Sequence, residues 1–238
     1  MTMAWVEHAY PDGDALAAAL ARELDAAVQA ALATRGRALL ALAGGRTPLP
    51  AYRALARRWR DTPGPAHIVL IPTDERCVPH DHPSSNVREL REIFGGTAVR
   101  IEALTTHDGD PARSERYAAA MLAGHKEPFD AVVLGMGGDA HTASLFPNAG
   151  QLAAGLDPST TLDALRIDPD PLPVEAPFAR ISLTAARLLR TRALHLALAG
   201  DAKRDVLAAA MADPDAFERP VAAVLHAPEA TVHIHWSP

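Results

Sequence analysis

The sequence predicts an α/β protein with a mainly parallel sheet flanked by helices on both faces, with room for a small extra lobe. Three observations lead there. Short apolar runs without polar alternation, Ala38–Ala43, Ile68–Ile71 and Ala131–Leu134, read as strands buried on both faces. Each ends in a glycine-rich or polar loop, and a stretch with helical spacing follows. Strand, loop and helix repeating in this way calls for parallel strands, because the helix carries the chain back to the starting edge.

Taken in order, residues 5–8 suit a first strand and residues 14–34 form a long Ala/Leu helix that Gly36 closes. The run 38–43 is built from helix-tolerant residues, so its reading as a strand rests on its length and on Gly44-Gly45 after it. Pro48 suits the first turn of a helix over 49–60, where its missing N–H costs nothing. A strand over 67–72 leads into a polar loop, 73–85, and a helix over 86–94 capped by Ser84 or Ser85. A helix over 111–124, a strand over 131–134 and a loop over 135–148 follow. Residues 157–177 are rich in proline and read as an irregular surface excursion that leaves open a lid. Strands over 180–183, 193–198 and 231–236 and a helix over 202–211 complete the chain. No linker or repeat interrupts the 238 residues, so one domain spanning 1–238 is expected.

Composition removes several classes of function. Hydrophobic residues are 48% and charged residues 22%, the balance of a chain with a packed core. With 23 Lys and Arg against 29 Asp and Glu, the net charge is −6, so no global field draws in nucleic acid or an anionic membrane. Recognition of phosphate has to be local. The single cysteine, Cys77, makes no internal disulfide and reads as a packed thiol, and the first ten residues lack a leader pattern, so a cytoplasmic location is expected. No run of about 20 apolar residues occurs.

In parallel sheets, ligands bind beyond the carboxyl ends of the strands, which directs attention to four loops. Gly44-Gly45-Arg46-Thr47-Pro48 joins a strand to a helix start, where bare N–H groups, a hydroxyl and close backbone approach suit an anion; a tight turn is the equal alternative. It lacks the lysine of a nucleoside-triphosphate loop. Thr73-Asp74-Glu75-Arg76 puts two carboxylates and a guanidinium at a strand end. Arg76 suits a phosphate, whereas Glu75 reads as part of an ion-pair cluster that holds the loop. Gly135-Met136-Gly137-Gly138-Asp139-Ala140-His141 meets the loose dinucleotide pattern, but Pro147 breaks any following helix and no carboxylate ends the next strand, so a nicotinamide cofactor is discounted. What remains is His141 beside Asp139, an imidazole suited to general base work. In Gly200-Asp201-Ala202-Lys203 the lysine opposes a helix dipole that an anionic ligand would relieve, and Arg180 is a weaker candidate of the same kind. The pairs His80/His82 and His233/His235 show no third ligand nearby, so no metal centre is expected.

As a set, in this order, these loops resemble the lactonase branch of the glucosamine-6-phosphate isomerase/6-phosphogluconolactonase superfamily. The resemblance extends over about residues 37–210 and includes Ser85-Asn86 and the run Thr142-Ala143-Ser144-Leu145-Phe146-Pro147. It implies a Rossmann-like sheet, and hydrolysis of 6-phosphoglucono-δ-lactone to 6-phosphogluconate in the oxidative pentose phosphate pathway without metal or organic cofactor. His141 falls on the family's general base, with Asp139 and Asp74 beside it, Asp74 as catalytic helper or as scaffold. Gly44, Gly45, Arg46 and Thr47 fall on the phosphate-side loop, and Arg76, Lys203 and Arg180 on basic positions. The implied partner is a small phosphorylated sugar lactone, with no nucleic acid or membrane, and the chain acts as monomer or homodimer. The family usually has glycine where this chain has Ala140, which strains the loop if the backbone there needs φ > 0. The isomerase/deaminase branch is the alternative, but its histidine precedes an acidic residue that 143–147 here lack. A silent sugar-phosphate sensor is the third reading.

Overall fold

Why the chain folds as it does begins with the buried runs, which lie at the centre of a sheet that both faces cover. The computed structural model describes residues 4–60, 67–228 and 230–238. Along the chain the elements are β1 (Ala4–Ala9), α1 (Gly13–Arg35), β2 (Ala38–Leu42), α2 (Leu49–Arg60), β3 (Ile68–Pro72), β4 (Asp74–Arg76), α3 (Asn86–Phe94), β5 (Arg100–Ile101) and α4 (Pro111–Leu122). After these come β6 (Ala131–Leu134), α5 (Leu152–Leu156), β7 (Ala164–Ile167), β8 (Arg180–Leu183), α6 (Ala185–Leu189), β9 (Leu194–Ala199), α7 (Asp201–Ala212), α8 (Ala222–Leu225) and β10 (Thr231–Ser237).

Seven strands form a parallel sheet in the order β1-β10-β9-β6-β2-β3-β5. From β2 the chain builds outward through β3 to β5, then returns to place β6 on the other side of β2. The connections on either side of β2 and β6 therefore diverge, and a crevice opens at their carboxyl ends. Alternation along β2 shows why the run has no polar position: Leu39 and Ala41 pack with α4, α7 and α8, while Ala38, Leu40 and Leu42 pack with α1, α2 and α3. Helix α1 ends where Gly36 takes φ 70 and its N–H reaches the Leu32 carbonyl at 2.9 Å.

The extra lobe is a three-stranded antiparallel sheet, β4-β8-β7. Thr73 joins the two sheets: its N–H donates to the Leu42 carbonyl of β2 at 3.1 Å, and its carbonyl accepts from Leu183 N–H of β8 at 3.0 Å. The expected polar loop at 73–85 thus begins as a strand, and the excursion at 157–177 contains β7. Arg180–Leu183 is a strand as expected, but of the small sheet. Pattern missed these because β4 has three residues, two of them acidic, and gains strand character only from pairing with β8.

Glu75 corrects a second expectation. Fully buried, it forms no ion pair among the described residues; its Oε1 accepts the N–H of Arg76 at 2.7 Å and of Asn86 at 2.8 Å, and its Oε2 accepts the N–H of Val87 at 2.7 Å and the Ser85 hydroxyl at 3.1 Å. It caps α3 with a carboxylate from another element, satisfying amides that have no partner inside the helix. Burial pushes its pKa up, and those hydrogen bonds hold it back.

On the α1 side of the sheet edge, register places His8 beside His235 and His233 beside His195, so four imidazoles share one face. Burial, then the neighbouring rings, pushes His195 down to about 4 and His235 down to about 3. Both are neutral at physiological pH.

The Glu75→Gln variant replaces an acceptor by an amide donor facing backbone N–H groups. It should lose about 1–3 kcal/mol of unfolding free energy in urea denaturation; an unchanged midpoint would show that α3 does not depend on this carboxylate.

Candidate active site

The crevice at the carboxyl ends of β2 and β6 is a cleft of about 330 Å3. Into it project Gly44, Gly45, Arg46 and Thr47 after β2, Asp74 and Arg76 from β4, His141 after β6, Arg180 from β8 and Lys203 from α7. Asp139 is bonded to His141 beside them. All ten residues singled out in the sequence therefore meet at one place. A larger cavity of about 650 Å3 lies at the opposite, amino-terminal ends of β9 and β10, around Arg187, Arg190 and Leu194. It holds none of these groups.

His141 is fixed from three sides. Its Nδ1 lies 2.5 Å from Asp139 Oδ1, its backbone N–H donates to the same oxygen at 3.2 Å, and its ring packs on Phe146 with centroids 4.1 Å apart. A neutral His141 that donates its Nδ1 proton to this carboxylate carries its lone pair on Nε2. Burial raises the Asp139 carboxyl, but the hydrogen bond and charge of His141 outweigh it and hold the group below the usual range. Gly137 makes the arrangement sterically possible: a Cβ there would sit 2.3 Å from the His141 ring and 2.5 Å from Asp139 Oδ1. Gly44 is constrained in the same way by Asn86 Oδ1, which a Cβ would approach to 2.2 Å.

Ala140 does adopt the left-handed backbone, φ 62, and Ala143 follows with φ 49. Such a conformation costs about 1–2 kcal/mol outside glycine. The Ala140 methyl is buried in the core, which returns about 0.8 kcal/mol. Within the loop, Gly137 N–H donates to the His141 carbonyl at 3.0 Å and Ala140 N–H to the Gly137 carbonyl at 3.1 Å. Those two amides hold the turn and do not face the cleft as free donors.

Asp74 accepts the Ser144 hydroxyl on Oδ2, while the Asn86 amide donates to the Asp74 carbonyl at 2.8 Å. Ser144 N–H in turn donates to Ser182 Oγ of β8 at 3.1 Å. Asp74 thereby ties the His141 loop to the small sheet and to α3. Arg180 is 3% exposed, and its guanidinium donates to the Phe178 carbonyl at 3.1 Å and the Ala176 carbonyl at 2.9 Å. Burial pushes it down to about 10, against the pull of Asp74, so it stays charged at neutral pH. Arg76 donates through Nη1 to the Ser84 carbonyl at 2.7 Å, and its buried Nε has no hydrogen-bond partner. Lys203 sits in the first turn of α7, where burial and then Arg46 push its ammonium down while Asp139 pulls it up.

Pro173, Glu175 and Ala176 also line the cleft, and nothing in the sequence singled them out. They come from the proline-rich stretch, which β7 and β8 bring back over the site. Cys77 is packed, and burial pushes its thiol up to about 12, which agrees with its reading as unreactive.

A parallel sheet with a His–Asp pair and several cationic side chains gathered at its switch point defines the class: an α/β protein with a polar cleft at the carboxyl ends of its strands. The chain belongs to the family described as glucosamine-6-phosphate isomerases/6-phosphogluconolactonase, whose model matches residues 11–236. It is 35% identical to a 6-phosphogluconolactonase of Pseudomonas putida, over 97% of this chain and 92% of the relative. A second 6-phosphogluconolactonase, from Pseudomonas aeruginosa, is 37% identical over 92% of this chain and 89% of the relative. The crystal structure of a 6-phosphogluconolactonase from Shewanella baltica superposes with a TM-score of 0.88 at 30% identity, covering 98% of this chain and 97% of that one.

Proposed function

We propose that this chain hydrolyses 6-phosphoglucono-δ-lactone to 6-phosphogluconate, with His141 as the base that activates water. The observation that carries the proposal is the His141–Asp139 pair facing the same cleft as Arg46, Arg76, Arg180 and Lys203. A family name covering both isomerases and lactonases does not decide between them. Relatives named as lactonases favour one branch, and so does 143–147, where no acidic residue follows His141 to serve as the second base an isomerase needs.

In this reading Arg46, Arg76, Lys203 and the start of α2 hold the 6-phosphate, and binding energy at a group that does not react positions the ring. Water attacks C1 and gives its proton to His141 Nε2. The resulting imidazolium is stabilised by Asp139, and the oxyanion on C1 develops among the cationic side chains. Collapse of the tetrahedral intermediate breaks the bond from C1 to the ring oxygen. The imidazolium returns the proton to that oxygen, leaving a carboxylic acid that ionises. A δ-lactone is an activated ester, so this sequence balances without a redox partner. Arg180 is assigned to the substrate side of the cleft and Asp74 to holding the His141 loop.

The direct test is His141→Ala, followed by coupling product formation to 6-phosphogluconate dehydrogenase and subtracting spontaneous hydrolysis. Turnover should fall on the order of 10²- to 10⁴-fold. Near-normal turnover, or ammonia release from glucosamine 6-phosphate by the unsubstituted chain, contradicts the proposal.

Lys203 supplies a pH dependence. Its ammonium holds phosphate only when protonated, and its pKa is lowered, so affinity for 6-phosphogluconate should be full at neutral pH. It should fall as pH rises through a value below that of an ordinary lysine. Titration calorimetry across alkaline pH should show that fall, and Lys203→Arg should abolish it. The same fall in the arginine variant would assign it to another group.

A further inference from the structure

Outside the cleft, three side chains from distant parts of the sequence converge between α1 and the sheet edge. His195 Nδ1 and His235 Nε2 are 3.1 Å apart, and Glu23 Oε2 of α1 lies 3.5 Å from the first and 3.7 Å from the second. None of the three lines the proposed active site. The two ring nitrogens share one proton at most between them. The carboxylate oxygen stands too far from either for a good hydrogen bond, yet faces both.

These separations match the edges of a metal coordination shell. Tetrahedral zinc with bonds of about 2.0–2.1 Å sets its ligand atoms about 3.3 Å apart. The circle through the three observed atoms has a radius of about 2.0 Å, so one ion reaches all three at bonding distance without rearrangement. Two imidazoles and one carboxylate are a donor set that suits zinc. Tyr10 Oη lies 3.0 Å from His235 Nδ1, the outer hydrogen bond that orients a ligating imidazole and fixes its tautomer. Both histidines are buried, whereas the Glu23 side chain is 36% exposed, which leaves a solvent side for a water as fourth ligand.

We propose that Glu23, His195 and His235 form a zinc site that clips α1 to β9 and β10, away from the catalytic cleft. The proposal departs from the expectation that no metal centre is present, and it does so through only one member of the His233/His235 pair. His235 does take part, but its companions are His195 and Glu23; His233 lies beside His8, 3.3 Å between ring nitrogens. The ion joins the first long helix to two neighbouring interior strands of the sheet, so it contributes to stability and leaves turnover alone.

The test titrates the full chain, stripped with EDTA, with zinc by calorimetry and with cobalt(II) by visible spectroscopy. One equivalent should bind per chain, cobalt should give the intense ligand-field bands of a four-coordinate site, and zinc should raise Tm by mass action. Glu23→Gln should weaken binding at least about 100-fold, more than loss of an outer-shell partner. Tyr10→Phe should weaken it about ten-fold. Glu23→Gln should keep the Tm of the stripped protein and its lactonase activity. Absence of binding, weak six-coordinate cobalt bands, or binding that survives Glu23→Gln overturns the proposal; the last places the metal elsewhere.

Discussion

Two adjacent carboxylates on a three-residue strand hold the site together. Strand geometry sends Asp74 and Glu75 to opposite faces of β4. Glu75 takes three hydrogen bonds at the start of α3 and one from Arg76 N–H of its own strand, and Asp74 takes the Ser144 hydroxyl of the loop that carries His141. Thr73, just before them, bonds to both sheets. One short stretch therefore fixes a helix, the loop carrying His141 and the junction between the layers. Burying two carboxylates side by side is costly unless each is satisfied, and here each is, by different elements. The Arg76 and Arg180 guanidiniums reach the cleft from the same small sheet, so its position sets where the cations stand.

A chain of net charge −6 can hold an anion because the field that matters is local. Burial removes screening from Arg180 and Lys203, which strengthens their field in the cleft and costs both some of their own basicity. The loop carrying His141 shows a comparable balance. Ala140 accepts a backbone region that glycine enters freely, and its buried methyl recovers part of the cost.

Much of the main sheet was legible because its strands are buried on both faces, and unbroken apolar runs mark such strands. The loops after them were legible because ligands of parallel sheets gather at carboxyl ends, and His141 stood out through its carboxylate neighbour. The small sheet was not. β4 reads as a polar loop until β8 is beside it, and β7 hides among prolines. Pro173, Glu175 and Ala176 reach the cleft only through that hidden sheet. Glu23, His195 and His235 were illegible for another reason: their grouping depends on parallel register between β9 and β10 and on where α1 crosses them, and no local spacing records either.

The proposed hydrolysis depends on Asp139 holding His141 in the tautomer that leaves Nε2 free to take a proton from water. Asp139→Asn keeps the size of the side chain and can turn its amide toward Nδ1, which forces the proton onto Nε2. The decisive measurement is its turnover in the coupled lactonase assay, with thermal stability measured alongside. A loss on the order of 10²- to 10⁴-fold in kcat with little change in stability is expected. Turnover within a few-fold of the unsubstituted chain would show that the Asp139 carboxylate does not set the tautomer His141 works in.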